Sequence, residues 1–235
     1  MVTFLAEELI VSQDKETPET IAFICAYNAE NILHNFIKKT LKKVDNCFVI
    51  NDGSNDKTSE IINGLRTELI THINHRGFKA CIETAAGYLS DKKFGYAIFI
   101  LANNEFDPND IPKMVEHAIK TNADFVCANR NIIKKEASFY NKLYHKTIYN
   151  IFNGKFFDIE SQFCMFSKDA LNSFMTYNNK ALSYFEIILK LYKKQLTFQS
   201  INVNYKNIEK DHTNFINSIK KCIKLLWLAI KFTVS

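Results

Sequence analysis

Apolar residues along the chain come in short continuous runs that alternate with longer amphipathic stretches. The runs "TIAFICAY" (20–27), "VDNCFVIND" (44–52), "ITHIN" (70–74), "GYAIFILAN" (95–103) and "ADFVCANR" (123–130) predict strands. Between them the period lengthens and predicts helices over 29–43, 58–69, 79–90 and 110–121, the last begun by the capping residues of Asp-Pro-Asn-Asp. After residue 131 the pattern is less regular. An aromatic, basic stretch over 138–153 reads as helical, 158–171 passes from loop to strand to helix start, and 196–205 alternates like a late strand. Strands alternating with helices imply βαβ units, so the expected fold is α/β, with a mainly parallel, Rossmann-like sheet flanked by helices. There is no internal repeat and no long flexible linker.

Ligands in such sheets bind beyond the carboxyl ends of the strands. Four polar clusters fall there: Tyr27-Asn28, Asn51-Asp52-Gly53-Ser54, Asn103-Asn104-Glu105 and Asn129-Arg130. Their shared edge marks the candidate site.

The 235 residues suit one domain with a substantial core, and 47% hydrophobic against 23% charged residues is an ordinary globular balance. The six cysteines, at 25, 47, 81, 127, 164 and 222, contain no Cys-x-x-Cys pair and lie mostly in apolar runs. Reduced, buried thiols in a cytoplasmic protein are therefore expected, in place of a disulfide framework or a zinc site. The N-terminus lacks the pattern of a signal peptide, and no apolar run approaches the roughly 20 residues of a membrane span. The net charge of +5 is uneven: residues 190–235 hold nine lysines against Glu209 and Asp211, a net of +7, which leaves about −2 for the rest. In that tail, 215–232 puts Ile216, Ile219, Ile223, Leu226 and Ile230 on one helical stripe with Lys220, Lys224 and Lys231 off it. A basic amphipathic helix reads as membrane-surface binding. The alternatives are a helix packed on its own domain or on a second copy. Nucleic-acid binding is not expected, because it leaves the apolar stripe without a use.

The motifs "AYNAENI", "VINDGSNDKT", "DPNDI", "ANR" and "DIESQF" stand in the order and spacing of family 2 glycosyltransferases with the GT-A fold. The chain most resembles the dolichyl-phosphate mannose synthase-like group over residues 20–232. The resemblance implies a hexose moved from a nucleotide diphosphate sugar to a polyprenyl phosphate or similar membrane-associated acceptor. It places Tyr27, Glu30, Asn51, Asp52, Gly77, Lys79 and Ala102 at the nucleotide, and Arg130 and Asp158 in catalytic positions. Ser161 and Gln162 fall at the sugar or acceptor, and Asn103 and Glu105 at a divalent metal, Mg²⁺ or Mn²⁺. An oxygen-ligated cation and an Arg fork both suit a leaving diphosphate.

The chain departs from that pattern at several points. Leu101-Ala102-Asn103 stands in place of Asp-x-Asp, Asn51 in place of a carboxylate, and Lys79 in place of a glycine. Cys164 and Ile208 occupy positions that are basic in many relatives. Two readings remain open. Glu105 with Asn103, and with Asp107, keeps a weaker oxygen site while Lys79 restores positive charge, or the homologue is non-catalytic and binds nucleotide, lipid or an active partner. For Glu105 and Asp107 the alternative role is capping of the helix that follows. The expected organisation is an N-terminal extension (1–19), a GT-A domain (20–210) and a C-terminal basic helix (211–235), peripheral on a membrane surface, with a homodimer or protein partner as a further expectation.

Overall fold

The computed structural model describes residues 18–130, 146–152, 158–177 and 182–206. Seven strands form one sheet: β1 (Thr20–Ala26), β2 (Asn46–Asn51), β3 (Glu68–Thr71), β4 (Tyr96–Leu101), β5 (Phe125–Asn129), β6 (Phe163–Ser167) and β7 (Phe198–Asn202). Their order is β3-β2-β1-β4-β6-β5-β7. Only β6 runs antiparallel to its neighbours, β4 and β5. The mainly parallel α/β sheet read from the sequence is the one observed.

Helices cover both faces: α1 (Leu33–Thr40), α2 (Phe78–Tyr88), α3 (Ile111–Thr121), α4 (146–151), α5 (Lys168–Tyr177) and α6 (Tyr184–Lys193). Because both faces are covered, the central strands are apolar without alternation, and every residue of β1 is buried. On the face under α2, α5 and α6, one phenylalanine from each of six strands packs ring to ring across the sheet. Phe48, Phe23 and Phe99 stack at 5.3 and 5.5 Å, and Phe166, Phe125 and Phe198 continue the row at 5.7, 4.8 and 4.8 Å. Phe23 is in register with both Phe48 and Phe99, so the parallel pairing itself aligns the rings. The other face packs α1 and α3 through Leu33, Ile37, Ile111 and Met114.

The helix expected over 58–69 is not formed. Residues Lys57–Ile62 make a short 3-10 helix, Gly64 turns the chain at φ +81°, and Glu68 already belongs to β3. Parallel pairing of Glu68–Thr71 with Phe48–Asn51 wins over the helical period of the sequence. Five cysteines, at 25, 47, 81, 127 and 164, are free and buried, as expected. No helix among the described residues is long and apolar enough to cross a membrane. The basic stretch 215–232, Ile208 and most of the N-terminal extension lie outside the described residues.

Candidate active site

All four polar clusters follow strands that point the same way, β1, β2, β4 and β5, so they meet at one edge. Between the ends of β1, β2 and β4 lies a cavity of about 180 Å³. Six residues expected at the site line it: Tyr27, Asp52, Gly77, Ala102, Asn103 and Gln162.

Most of "NDGSNDKT" is occupied in building the loop. Asn51 is 2% exposed, donates from Nδ2 to Ser59 Oγ (2.6 Å) and accepts from the Ser54 amide (3.0 Å). Asp56 caps the 3-10 helix through the Thr58 amide (3.0 Å) and accepts from the Glu30 amide (3.1 Å), while Glu30 Oε2 accepts from the Lys57 amide (3.0 Å). Asn28, at φ +49°, joins the same network through Ser54 and Asn55. Asn51 and Glu30, expected at the nucleotide, are thus engaged in loop bonds and do not line the cavity.

Asp52 faces the cavity and is 3% exposed. Its Oδ1 accepts from His72 Nδ1 (2.6 Å) and the Arg76 amide (3.0 Å), and its Oδ2 from the Gly77 amide (2.7 Å) with His75 Nδ1 at 2.8 Å. Three hydrogen bonds thus reach the carboxylate, and His75 Nδ1 lies between Oδ2 and the Asp52 carbonyl, 3.3 Å from the latter. Burial pushes the Asp52 carboxyl up, but the His72 bond, the two amides and the His75 charge outweigh it and hold it below its ordinary range. One anion thereby fixes the whole turn 72–77. Behind it, His72 Nε2 meets Thr84 Oγ1 of α2 at 2.8 Å. Gly53 is required by the same turn: at φ +72°, a Cβ there would lie 2.5 Å from the His75 nitrogen. Over the mouth, the Tyr27 ring lies 4.0 Å from the His75 ring at a 33° tilt.

A second chain of contacts runs from β5. Arg130 grips Asp158 with Nε (2.7 Å), Nη2 (2.8 Å) and its own amide (3.2 Å). Its guanidinium lies 5.7 Å from the Tyr205 ring centre, and the Tyr205 hydroxyl donates to Glu105 Oε1 (3.0 Å). Glu105 Oε2 accepts from Asn103 Nδ2, and the Glu105 amide donates back to Asn103 Oδ1 (3.1 Å). The expected catalytic and metal residues are therefore one continuous network, ending at Asn103 on the cavity wall.

Other expected residues sit apart from the cavity. Lys79 pairs with Glu83 on its own helix at 3.0 Å. Ser161 is 1% exposed and donates to the Phe163 carbonyl (3.4 Å). Asp107 accepts from the Asn109 amide (3.1 Å), which is the capping role. Glu105 has no such role, since its partners are Asn103 and Tyr205. Cys164 is fully buried in β6 beside the Tyr184 hydroxyl (3.6 Å), and burial pushes its thiol up to about 12, so it is neutral at physiological pH. Sequence reasoning missed the convergence of His72 and His75 on Asp52, and Tyr205. The available signal was position: all three follow strands adjacent to those that carry Asp52 and Arg130.

Two groups of residues come into question for a cation. Glu105 and Asn103 bring together one carboxylate and one amide oxygen, the donor type of a hard ion that keeps most of its waters, although all three oxygens also accept hydrogen bonds within the network. Asp52, His72 and Cys81 place ligand atoms within 4.8 Å of one another. There, however, Asp52 and both His72 nitrogens already have partners, and a thiol does not suit Mg²⁺ or Mn²⁺.

Residues 21–175 match the family model described as Glycosyl transferase family 2. An uncharacterized protein of Methanocaldococcus jannaschii is 26% identical over 229 residues, which is 90% of this chain and 98% of that protein. A second uncharacterized protein of that organism is 28% identical over 119 residues, 50% of this chain and 49% of its own. Among solved structures, glucosyl-3-phosphoglycerate synthase from Mycobacterium tuberculosis in complex with uridine diphosphate has a TM-score of 0.64 at 13% identity, over 90% of this chain and 80% of that one. The same enzyme with Mn²⁺, UDP-glucose and phosphoglyceric acid has a TM-score of 0.64 at 15% identity, with the same coverage. At such identities the likeness is one of fold.

Proposed function

The chain belongs to glycosyl transferase family 2 and is thereby a transferase, and on that premise we propose that it moves a hexose from a nucleotide diphosphate sugar to a polyprenyl phosphate or similar membrane-associated acceptor, as in the dolichyl-phosphate mannose synthase-like group. The observation that carries the reading is the cavity held by Asp52 at the ends of β1, β2 and β4, tied through Asn103, Glu105 and Tyr205 to the Arg130–Asp158 pair. A nucleotide donor is supported by the M. tuberculosis complexes, which hold uridine diphosphate and UDP-glucose. The UDP-glucose complex also holds phosphoglyceric acid, a phosphate-bearing acid. The lipid part of the acceptor rests on the basic, amphipathic sequence 215–232. A cytoplasmic protein, peripheral on a membrane, goes with it.

In this reading the base enters beside the Tyr27 and His75 rings, and the amides of the 75–77 turn, aligned by Asp52, pre-form its wall. Ser161 and Lys79 act in the structure of the site. Arg130 has five N–H donors, and the two given to Asp158 leave others for a diphosphate or an acceptor phosphate. A phosphate oxygen of the acceptor bonds to the anomeric carbon. The bond from that carbon to the diphosphate breaks, and the nucleoside diphosphate leaves with the electron pair. The acceptor is already ionised, so positioning does most of the work and no strong base is needed. A bound Mg²⁺ or Mn²⁺ would be held by Glu105 and Asn103 and would neutralise charge on the leaving diphosphate.

A second reading is favoured by one specific arrangement: Leu101 stands where a carboxylate would, and both Glu105 oxygens already have partners. It is a non-catalytic homologue that binds nucleotide, lipid or an active partner. Calorimetric titration with UDP, GDP and their hexose conjugates, followed by product analysis with a polyprenyl phosphate, separates the two. Nucleotide-sugar binding with glycolipid formation is expected. Binding without any turnover selects the homologue, and absence of all nucleotide binding removes the transferase reading.

A further inference from the structure

A separate groove of about 430 Å³ lies on the α1 side of the loop that carries Asn103 and Glu105. Four lysines line it: Lys38, Lys39 and Lys42 from α1 and its end, and Lys206 beyond β7. Lys38 and Lys39 lie in the last turn of α1, and Lys42 follows its C-cap, Leu41. Two carboxylates face these ammonium groups. Asp107 lies 3.8 Å from Lys39, and the Glu105 carboxylate is held by Asn103 and Tyr205. Among the described residues Lys38, Lys42 and Lys206 make no ion pair, and all three are exposed. Ile32, Phe36, Phe106 and Pro108 give the lining an apolar part, beside asparagines such as Asn35 and Asn104.

Lysines beside apolar side chains match a ligand that is an anion at one end and a hydrocarbon at the other. The groove also adjoins the donor cavity: Asn103 lines the cavity, while Asn104 and Glu105, next in the chain, line the groove. We infer that this groove receives the lipid-phosphate acceptor, its phosphate among Lys38, Lys42 and Lys206 and its first isoprenoid carbons against Ile32, Phe106 and Pro108. The inference rests on the reading of a polyprenyl phosphate acceptor and adds its place.

The test uses the full chain and the variant carrying Lys38→Ala, Lys42→Ala and Lys206→Ala. Binding is measured to neutral phosphatidylcholine vesicles doped with a polyprenyl phosphate, with the matching polyprenol, or with phosphatidylglycerol at equal charge. Each lysine at an anionic headgroup contributes about fivefold, so the triple variant is expected to bind polyprenyl phosphate vesicles at least tenfold more weakly. Its affinity for UDP and its melting temperature are expected to stay unchanged. A wild-type chain that does not separate polyprenyl phosphate from polyprenol overturns the acceptor reading and the groove with it. Wild-type discrimination that survives in the triple variant overturns the groove alone. Equal loss on phosphatidylglycerol vesicles, or full competition by inorganic phosphate, makes the lysines a general anion surface and overturns the assignment.

Discussion

Arg130 and Asp158 form a two-pronged ion pair, with Nε to Oδ2 at 2.7 Å and Nη2 to Oδ1 at 2.8 Å, and Asp158 is 6% exposed. The pair joins the end of β5 to the segment that enters β6, 28 residues later. It also fixes the plane of the guanidinium beside the Tyr205 ring, and so the position of its remaining donors. The two residues that the family resemblance puts in catalytic positions are therefore one unit, in which Asp158 aims Arg130.

Removing one partner leaves the other charge buried and unpaired. Asp158→Ala is expected to lower stability by about 3 kcal/mol, and Arg130→Lys by less, because Lys keeps the charge but loses the fork. Urea unfolding checks this. Equal stability of wild type and Asp158→Ala means that the pair contributes nothing to the fold and that the site is assembled by other contacts.

Asp52 makes a pH-dependent contribution whose sign follows from its environment. Its folded-state value is depressed by the His72 bond, the Arg76 and Gly77 amides and His75, against the opposing effect of burial. Its stabilisation is therefore complete above the ordinary carboxylate value of about 3.9 and is lost as pH falls through the lower folded value. Asp52→Asn is expected to be less stable at neutral pH, since an amide group would face donors. It is also expected to show a shallower acid limb. Denaturation midpoints from neutral pH down to acid test both, and parallel curves for the two proteins would refute the assignment.

The fold was legible because its strands are covered on both faces, so β1, β2 and β4 are uninterrupted apolar runs that no surface helix would show. The failure at 58–69 has a tertiary cause: Glu68–Thr71 pairs with β2, and no local period reports a partner 20 residues away. The edge that carries the candidate site was legible from its four polar clusters. The division of labour within them was not, since Asn51, Asp56 and Thr58 are as polar as Asp52 but point into the loop. His72 and His75 look unrelated on a strand and its exit, and only the return of that turn over β2 brings both to one carboxylate.

Gly53 and Gly77 both have positive φ but differ in what a side chain would meet. Gly77, at φ +84° and ψ 172°, has open space where a Cβ would go, so Gly77→Ala carries conformational strain alone, about 2 kcal/mol. Gly53→Ala adds a collision with the backbone of Asn74 and His75, and a larger loss is expected. Thermal unfolding ranks the two. A Gly53→Ala protein at least as stable as Gly77→Ala would mean that the 72–77 turn can move away from β2.

The mouth of the cavity offers an aromatic surface, the rings of Tyr27 and His75. A base stacked on an aromatic ring gains about 1–3 kcal/mol, so Tyr27→Ala is expected to weaken UDP or GDP binding roughly tenfold, with little effect on stability because Tyr27 is 38% exposed. Calorimetry with the free nucleotide gives the answer. Unchanged affinity would place the base elsewhere along the strand ends.

In the proposed reading Glu105 is the residue that would hold a cation at the diphosphate, and two substitutions act on it in opposite directions. Glu105→Ala removes the one carboxylate beside Asn103, and is expected to abolish any tightening of nucleotide binding by Mn²⁺ while leaving the affinity in EDTA unchanged. Tyr205→Phe removes the hydroxyl bonded to Glu105 Oε1 at 3.0 Å, freeing an acceptor position for a cation, and is expected to increase that tightening by severalfold. The measurement is titration of UDP with Mn²⁺ or with EDTA for the three proteins. If Mn²⁺ has no effect on any of them, the charge is met by Arg130 without a cation, and Glu105 serves to hold Asn103 and Tyr205 in place.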